Sequence, residues 1–323
     1  MKSRSINKVL FVAFIASILI ASPSFAGSNP NGKTPNENAI GYWTQDRLDN
    51  ALTRDFEFEP GANSGKLVSL GKPSRGGGGT TTAVTGSNWT KGGKPLNSTG
   101  KVFFTMGGTN YVCSGALANE NVSGRSVVLT AGHCVWDNAT SSWATNFIFI
   151  PAYDSNPVNN CSTTPGRCLV ASALTASSGF TTQTSFTTQA TLNDWGFAVV
   201  TESTQPGFNL AINSLASSNT VYAFGYPAAS PYNGSKLIYC AGPISADSKN
   251  GGLTWGLGCN MTGGASGGPW LGSFNTSTND GNLASLNSYK YNNDSTKMYG
   301  PKFNAATQSA FLLAQTVTIN TVS

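Results

Sequence analysis

Short apolar runs separated by stretches rich in Gly, Ser, Thr and Asn recur along the chain from residue 101 onward. β-Branched and aromatic residues fill these runs, a pattern typical of short strands in a barrel or sandwich rather than of βαβ units. An Ala-rich stretch with consecutive large apolar residues, 304–315, predicts a helix near the end of the chain. The apolar runs predict strands at residues 101–106, 112–118, 126–130, 147–150, 195–200, 220–224, 237–239 and 283–291.

The first 26 residues have the three-part plan of a secretory signal peptide. Three positive charges precede an apolar run at residues 9–21, and small residues flank a cleavage point after Ala26. That run of 13 residues is too short to cross about 30 Å of hydrocarbon as a helix, which needs about 20 residues. We therefore interpret residues 1–26 as a signal peptide and expect a soluble, secreted protein with no membrane partner.

Residues 27–92 are richer in charged residues than the rest of the mature chain. Residues 43–52 predict a short helix with Thr44 as its N-cap. Four consecutive glycines at residues 76–79 would lose too much backbone entropy inside a strand, so they predict a flexible linker. We expect a pro-segment and linker ahead of a catalytic unit, and a permanently retained extension is the alternative.

The charge balance and the single His exclude several functions. Only 10% of the residues are charged, and without the signal peptide 16 Lys and Arg stand against 14 Asp and Glu. No window of the mature chain concentrates basic residues as a nucleic-acid-binding surface does, so we expect no nucleic-acid partner. One His excludes chemistry that needs two His ligands or two His bases.

Six cysteines point to disulfides, because an exported chain meets an oxidising environment. None forms a Cys-x-x-Cys pair and only one His is present, so the pattern argues against a zinc site, and we expect no metal and no cofactor. The spacing alone does not choose among the possible pairings. The cysteines are Cys113, Cys134, Cys161, Cys168, Cys240 and Cys259.

Three residues occupy positions suited to hydrolytic chemistry. His133 follows a buried strand and a small-residue turn, Asp194 precedes a continuous apolar strand, and Ser266 lies between glycines. Glycines on both sides of Ser266 let a substrate backbone approach and let consecutive N–H groups point into one cavity. Each feature alone is more often structural, so only the three together indicate catalysis.

The chemistry of a Ser nucleophile favours the same three residues. A Ser hydroxyl needs an adjacent base, and His133 is the only imidazole of the chain. The base in turn needs a carboxylate that fixes its tautomer and stabilises the imidazolium. Among the carboxylates of the second two-thirds of the chain, Asp194 opens a continuous apolar strand. Asp137, four residues after His133 in an Asp-Asn turn, is the rival.

Residues 128–134 (VLTAGHC), 194–200 (DWGFAVV) and 263–269 (GGASGGP) resemble the His, Asp and Ser blocks of the trypsin-like, chymotrypsin-fold serine peptidases, in the same order. The resemblance covers about residues 100–315. It is closer to the bacterial secreted members and the glutamyl endopeptidases than to the animal digestive enzymes.

This resemblance implies an all-β fold of two antiparallel β-barrels with a C-terminal helix. Residues 93–205 would form the first barrel and residues 206–323 the second, with the active site between them. The partners would be protein or peptide substrates, and we expect a monomer.

The resemblance also implies a secreted serine endopeptidase that works through an acyl-enzyme. Ser266 would attack the peptide bond, His133 would take and return the proton, and Asp194 would orient His133. The N–H groups of Gly264 and Ser266 would form the oxyanion hole. The alternative is a non-catalytic secreted binding protein that retains the peptidase fold.

By the same resemblance, Cys113 would pair with Cys134, Cys161 with Cys168 and Cys240 with Cys259. One departure concerns activation of a zymogen. Ala265 stands where the digestive enzymes carry an Asp that pairs with a newly formed N-terminus, and the chain has no Ile-Val-Gly-Gly start. How such a zymogen would be held inactive stays open.

Three residues are candidates for substrate binding. Asn260 would form a neutral base of the primary specificity pocket, which does not favour Arg or Lys in the substrate. By the resemblance, Ser288 would lie on the pocket-wall strand, and Asn287 stands where the glutamyl endopeptidases place a His. Two lysines near this pocket, Lys290 and Lys297, leave two interpretations open. In one, a Lys ammonium, with Lys297 the preferred candidate, binds an acidic side chain of the substrate. In the other, both lysine side chains extend to water and leave a polar or mid-sized apolar pocket.

Overall fold

The computed structural model describes residues 35–69, 83–164 and 166–323. The predicted signal peptide and the glycine run at residues 76–79 lie outside the described residues. No helix in the described ranges is both long and apolar enough to cross a membrane. The described helices are α1 (Pro35–Tyr42), α2 (Gln45–Asp49), α3 (Gly93–Ser98), α4 (Ser178–Thr181), α5 (Thr188–Thr191) and α6 (Ala305–Ala314).

Most of the remaining structure consists of short strands, as the apolar pattern predicts. They are β1 (Leu52–Thr53), β2 (Asp55–Phe58), β3 (Lys66–Val68), β4 (Val84–Asn88), β5 (Thr99–Met106), β6 (Thr109–Ala118), β7 (Ser126–Thr130), β8 (Trp136–Asp137), β9 (Ser142–Trp143), β10 (Thr145–Pro151), β11 (Leu169–Ala176), β12 (Gly196–Val200), β13 (Thr220–Gly225), β14 (Ile238–Ala246), β15 (Trp255–Gly258), β16 (Pro269–Asn275), β17 (Asp280–Leu286), β18 (Tyr289–Tyr291), β19 (Asp294–Gly300) and β20 (Thr321–Val322).

The first barrel is a closed antiparallel ring of β5, β6, β7, β12, β11 and β10. It closes because β6 pairs with both β5 and β7, while β10 pairs with β5 and β11. Buried side chains such as Phe104, Val128, Phe149 and Phe197 fill its interior. Burying each of these large apolar side chains contributes about 1.5–3 kcal/mol.

The pairing of β7 with β12 brings two of the predicted catalytic residues to one end of this barrel. The strands are antiparallel, with Thr130 opposite Gly196. His133 comes three residues after the end of β7, and Asp194 comes two residues before the start of β12. Both side chains therefore leave the sheet at the same edge.

The second half of the chain forms a sheet in the order β17, β16, β13, β14, β15, β19 and β18, with β4 added along β14. Its core contains Trp270, Leu257 and Met298. Strand β16 begins just after Ser266, and Pro269 lies opposite Leu286 at the end of β17. This register places the Ser266 loop beside the segment that follows β17.

The predicted all-β fold with a C-terminal helix is confirmed. Helix α6 begins after Asn304, whose side chain accepts from the N–H groups of Ala306 and Thr307 in a capping box. Its Phe311 ring lies 5.5 Å from that of Phe197 on the first barrel. Helix α2 begins after Thr44, the predicted N-cap, and ends at Asp49.

The single strand predicted at residues 283–291 is wrong, because the structure divides it into β17 and β18. Asn287 and Ser288 leave the ladder between them: the Asn287 N–H donates to the Gly268 carbonyl, and the Ser288 N–H donates to the Tyr299 carbonyl. The break is set by the tertiary fold, because both residues are buried and their N–H groups bond to carbonyls of other segments.

Strands that the apolar pattern does not predict join the N-terminal region to both halves of the molecule. β1 runs parallel to β6 of the first barrel. β2 runs parallel to β18 of the second sheet and pairs antiparallel with β3. Residues 52–58 thus cross the cleft between the two halves.

Three disulfides join the cysteines in the pairs that the resemblance implies: Cys113–Cys134, Cys161–Cys168 and Cys240–Cys259. The first connects β6 to the turn that carries His133. Although Cys113, His133 and Cys134 cluster within metal-ligand range, the disulfide leaves no thiolate there to bind a metal.

Candidate active site

His133 and Asp194 are buried together at the edge of the first barrel. His133 Nδ1 lies 2.9 Å from Asp194 Oδ2, and the backbone N–H of His133 donates to Asp194 Oδ1 at 2.8 Å. Neither side chain has exposed surface. The carboxylate therefore holds the ring and its backbone at the same time.

Asp194 receives a third hydrogen bond from the second half of the molecule. The Ser288 hydroxyl donates to Asp194 Oδ2 at 2.5 Å. A buried carboxylate needs such donors, because its charge has lost contact with water. The rival carboxylate, Asp137, instead accepts from the Ala139 N–H and lies 3.5 Å from the Arg54 guanidinium. The structure thus brings Asp194 to His133, and Asp137 belongs to a different cluster.

The loop that carries Ser266 is held by buried polar contacts with two neighbouring segments. The Ser114 hydroxyl donates to the Gly264 carbonyl at 2.8 Å, and the Asn287 amide donates to the Ala265 carbonyl at 3.0 Å. Gly264 has a φ of +91°, a conformation that side chains disfavour. Gly267 has a φ of +81° and no room for a Cβ. These constraints explain why Ser266 is flanked by glycines.

A carboxylate that the sequence analysis missed occupies the front of Ser266. The Ser266 hydroxyl donates to Asp55 Oδ1 at 2.8 Å. The Gly264 N–H lies 3.2 Å from each Asp55 oxygen. Burial raises the pKa of Asp55, while these hydrogen bonds and nearby His133 oppose the rise. No motif marks Asp55, which lies 211 positions before Ser266.

Two further side chains near Asp55, those of Arg54 and Phe56, contact His133 or its backbone. The Arg54 Nε–H donates to the His133 carbonyl at 2.9 Å. The Phe56 ring lies 5.4 Å from the imidazole and stacks on Phe186 at 4.1 Å. His133 Nε2 is buried and has no hydrogen-bond partner among the described residues.

A cavity of about 240 Å³ opens beside Ser266. Asn260 and Ser288, two of the three predicted substrate-binding residues, line it, and Asn260 accepts a hydrogen bond from the Tyr232 hydroxyl. Lys290 also lines the cavity. The third predicted residue, Lys297, is exposed on β19 and is not among the lining residues.

The Lys290 ammonium lies at the cavity wall, held by two backbone carbonyls. It donates to Cys259 at 3.1 Å and to Ser295 at 2.7 Å. Burial lowers the pKa of Lys290 to about 8, although Glu57, Asp294 and Asp55 act in the opposite direction. The sequence alone does not show which of the two lysines lines the cavity.

Asn287 has a structural role beside the Ser266 loop. Its amide donates to the carbonyls of Phe224 and Ala265, and its side-chain oxygen accepts from the Trp270 indole. Asn287 therefore supports the Ser266 loop from behind and does not face the cavity.

Comparison with known families agrees with this geometry. The family model for the lysyl endopeptidase C-terminal domain matches residues 83–278, a range that contains His133, Asp194 and Ser266. The chain belongs to this family. The match begins after residues 52–58, so the segment that crosses the cleft lies outside it. No curated protein matches the chain in sequence.

Solved structures add two proteases as relatives of this lysyl endopeptidase family member. Protease Anisep from Arthrobacter nicotinovorans is 34% identical, with a TM-score of 0.59 over 72% of this chain and 100% of its own. The thermostable serine protease AL20 from an extremophilic microorganism is 31% identical, with a TM-score of 0.58 over 69% of this chain and 98% of its own.

A Glu endopeptidase has the same fold, with a TM-score of 0.54 at 20% identity over 72% of this chain and 98% of its own. The chain is therefore a trypsin-like serine endopeptidase, and the resemblance noted in the sequence is confirmed.

Proposed function

We propose that Ser266 is the nucleophile, His133 the general base and Asp194 the residue that orients His133. The observation that carries this proposal is the fully buried pair of His133 Nδ1 and Asp194 Oδ2 at 2.9 Å. With Nδ1–H donated to the carboxylate, the other ring nitrogen is the basic one and is available to accept a proton.

The proposed reaction proceeds through an acyl-enzyme. Ser266 Oγ attacks the peptide carbonyl as its proton passes to His133 Nε2, and the tetrahedral oxyanion is held by the N–H groups of Gly264 and Ser266. His133 then protonates the leaving amine, and the C–N bond breaks. Water, deprotonated by His133, attacks the ester, and the proton returns to Ser266 as the acid product leaves.

Peptide hydrolysis by triad variants tests this assignment. Ser266→Ala and His133→Ala should each lower turnover of an unstructured protein substrate by several orders of magnitude while the thermal unfolding midpoint stays within a few degrees. Residual hydrolysis near the wild-type rate in Ser266→Ala would refute the nucleophile. A folded, processed wild-type protein without hydrolysis would favour the binding-protein alternative.

We also propose that the protein is secreted and made as a zymogen. The N-terminal charge and apolar pattern and the three disulfides support export. β4 pairs with β14, and Trp89 packs against Phe224 and Tyr239, so these residues belong to the second half of the fold. A processing cut at residues 69–83, rather than at the predicted boundary of residue 92, would keep them. N-terminal sequencing of the secreted protein tests both cuts.

For the bond that is cleaved, we propose that Lys and Arg are disfavoured, although the family is named for lysyl endopeptidases. Asn260 offers no negative charge, and the Lys290 ammonium would repel a second cation in the cavity. Lys290, or Lys297 as the sequence suggested, could attract an acidic side chain instead.

A peptide library compared across two variants decides between these two lysines. If Lys290 controls the pocket, Lys290→Ala should shift the cleavage profile and should increase cleavage after Lys or Arg. The matched variant Lys297→Ala removes the same charge from an exposed position and should leave the profile unchanged. Dominant cleavage after Lys or Arg by the wild-type protein would refute the pocket proposal.

A further inference from the structure

We propose that residues 52–58, which we name the cleft segment, act as an intramolecular inhibitor of the active site, a role that presupposes the proposed catalytic function. The segment comprises β1, β2 and the residue between them. It contacts the nucleophile, the base and both halves of the fold.

Asp55 of the cleft segment engages the groups that the reaction would use. The Ser266 hydroxyl donates its proton to Asp55 Oδ1 at 2.8 Å, rather than to His133. The Gly264 N–H, a proposed oxyanion donor, faces the two Asp55 oxygens at 3.2 Å. A carboxylate at this position cannot be cleaved, because its carbon has no leaving group and its delocalised negative charge repels a nucleophile. Asp55 therefore resembles an anionic intermediate in charge but gives no product.

Phe56 covers the base. Its ring meets the His133 imidazole edge-on at 5.4 Å and stacks against Phe186, whose ring is also 5.5 Å from the imidazole. His133 Nε2 lies buried beneath this aromatic cover without a hydrogen-bond partner among the described residues. A substrate peptide reaches the base only if Phe56 moves.

Arg54 anchors the segment to the turn that carries the base. It is 4% exposed, donates to the His133 carbonyl at 2.9 Å and lies 3.5 Å from Asp137 Oδ1. A buried guanidinium with these partners is costly to withdraw, because one partner would be left with an unpaired charge. Asp137, the rival carboxylate of the sequence analysis, thus has a role in holding the segment.

Backbone pairing joins the segment to both halves. Leu52 and Thr53 pair with β6, and β2 pairs with β18 over its last three residues. Phe58 is buried between Tyr289 and Tyr291. Because pairing with β18 places β2 on the wall of the cavity, a substrate cannot use this wall while the segment is in place.

The position of the segment in the chain fits a removable inhibitor. It precedes the glycine run at residues 76–79 and lies outside the family match at residues 83–278. A cut between the cleft segment and the start of the family match at residue 83 would separate the segment covalently from all three proposed catalytic residues. Inhibition by occupation also answers the question raised by Ala265, which lacks the carboxylate of the digestive-enzyme switch.

The test measures how fast a fluorophosphonate probe labels the full-length secreted chain, read on the intact band of a gel so that processed molecules are scored separately. The intact wild-type band should label slowly and the processed band quickly. Asp55→Ala should accelerate labelling of the intact band at least tenfold. The matched variant Glu59→Gln, an exposed acid that contacts Lys66 just beyond the segment, should label as slowly as the wild type.

A second variant displaces the segment without changing it. A Cβ at Gly263 would collide with the Asp55 carboxylate and the Thr53 hydroxyl, so Gly263→Ala should also accelerate labelling of the intact band. This variant decides the matter if Asp55→Ala fails to fold.

Three outcomes would overturn the inference. Equal, rapid labelling of intact wild type and Asp55→Ala, abolished in Ser266→Ala, would refute inhibition and leave the proposed catalytic function standing. Slow labelling of the intact, folded Asp55→Ala and Gly263→Ala variants, beside fast labelling of the processed band, would also refute the inhibitor role. No labelling of intact or processed folded protein would refute the catalytic function and the inhibitor together.

Discussion

At the scale of single residues, the site depends on the hydrogen-bond donors that stabilise the buried carboxylate of Asp194. Asp194 has no exposed surface and accepts hydrogen bonds from the His133 backbone, the His133 ring and Ser288. The sequence could single out His133, Asp194 and Ser266 as candidates because each lies in a local motif. It could not identify Asp55, whose contact with Ser266 is made only by the tertiary fold.

Replacing Asp194 with Asn tests the orienting carboxylate. Asp194→Asn should lower turnover by about 10⁴, because an amide favours the wrong tautomer of His133. Asp137→Asn is the matched control, since Asp137 contacts Arg54 rather than His133 and should leave turnover of the processed enzyme nearly unchanged. Steady-state kinetics of processed protein measure both, and a reversed order of effects would contradict the assignment.

Ser288 should act as a positioning residue for Asp194. Removing a hydrogen bond to a buried charge costs about 1.5–3 kcal/mol, so Ser288→Ala should lower kcat by roughly tenfold or more. Because Asp194 then loses a donor, the pH profile of kcat/KM should also change. Ser285→Ala removes a buried hydroxyl that donates to the Pro301 carbonyl instead. A similar fall in kcat and the same pH profile in both variants would show that Ser288 is merely structural.

At the scale of elements, sequence patterns located strands with continuous apolar runs and missed those whose partners are distant. β7 and β12 are fully buried and were readily predicted. β2 mixes Asp55 and Glu57 with two Phe residues, and its pairing with β18 cannot be read from either segment alone. The capped helix α6 was predictable because Asn304 and an Ala-rich run are local signals.

Removal of the disulfide beside His133 should affect function more than removal of the local one. Closing a 21-residue separation contributes about 3 kcal/mol, and closing a 7-residue separation about 2 kcal/mol. Replacing Cys113 and Cys134 with Ala should therefore lower the Tm more than replacing Cys161 and Cys168, and should also lower turnover. Calorimetry and kinetics of the two double variants test this order; equal losses of turnover would contradict a role in supporting the His133 turn.

At the scale of the whole molecule, two β-structured halves meet at a cleft that the cleft segment spans. The family resemblance predicted the two halves and the placement of the catalytic residues between them. It carried no information about residues 52–58, because the resemblance covers only about residues 100–315. The family match, which begins at residue 83, also leaves them out. The sequence could not predict the contacts of this segment, because they join residues 52–58 to strands of both halves that lie far away along the chain.

Mapping a fluorophosphonate adduct shows whether Ser266 is a nucleophile activated by His133 and Asp194. Processed protein is labelled, digested and examined by mass spectrometry. We expect one covalent adduct on the peptide that carries Ser266, with labelling slowed by several orders of magnitude in His133→Ala. An unlabelled Ser266 in folded, processed protein, or an adduct on another residue that persists in Ser266→Ala, would contradict it.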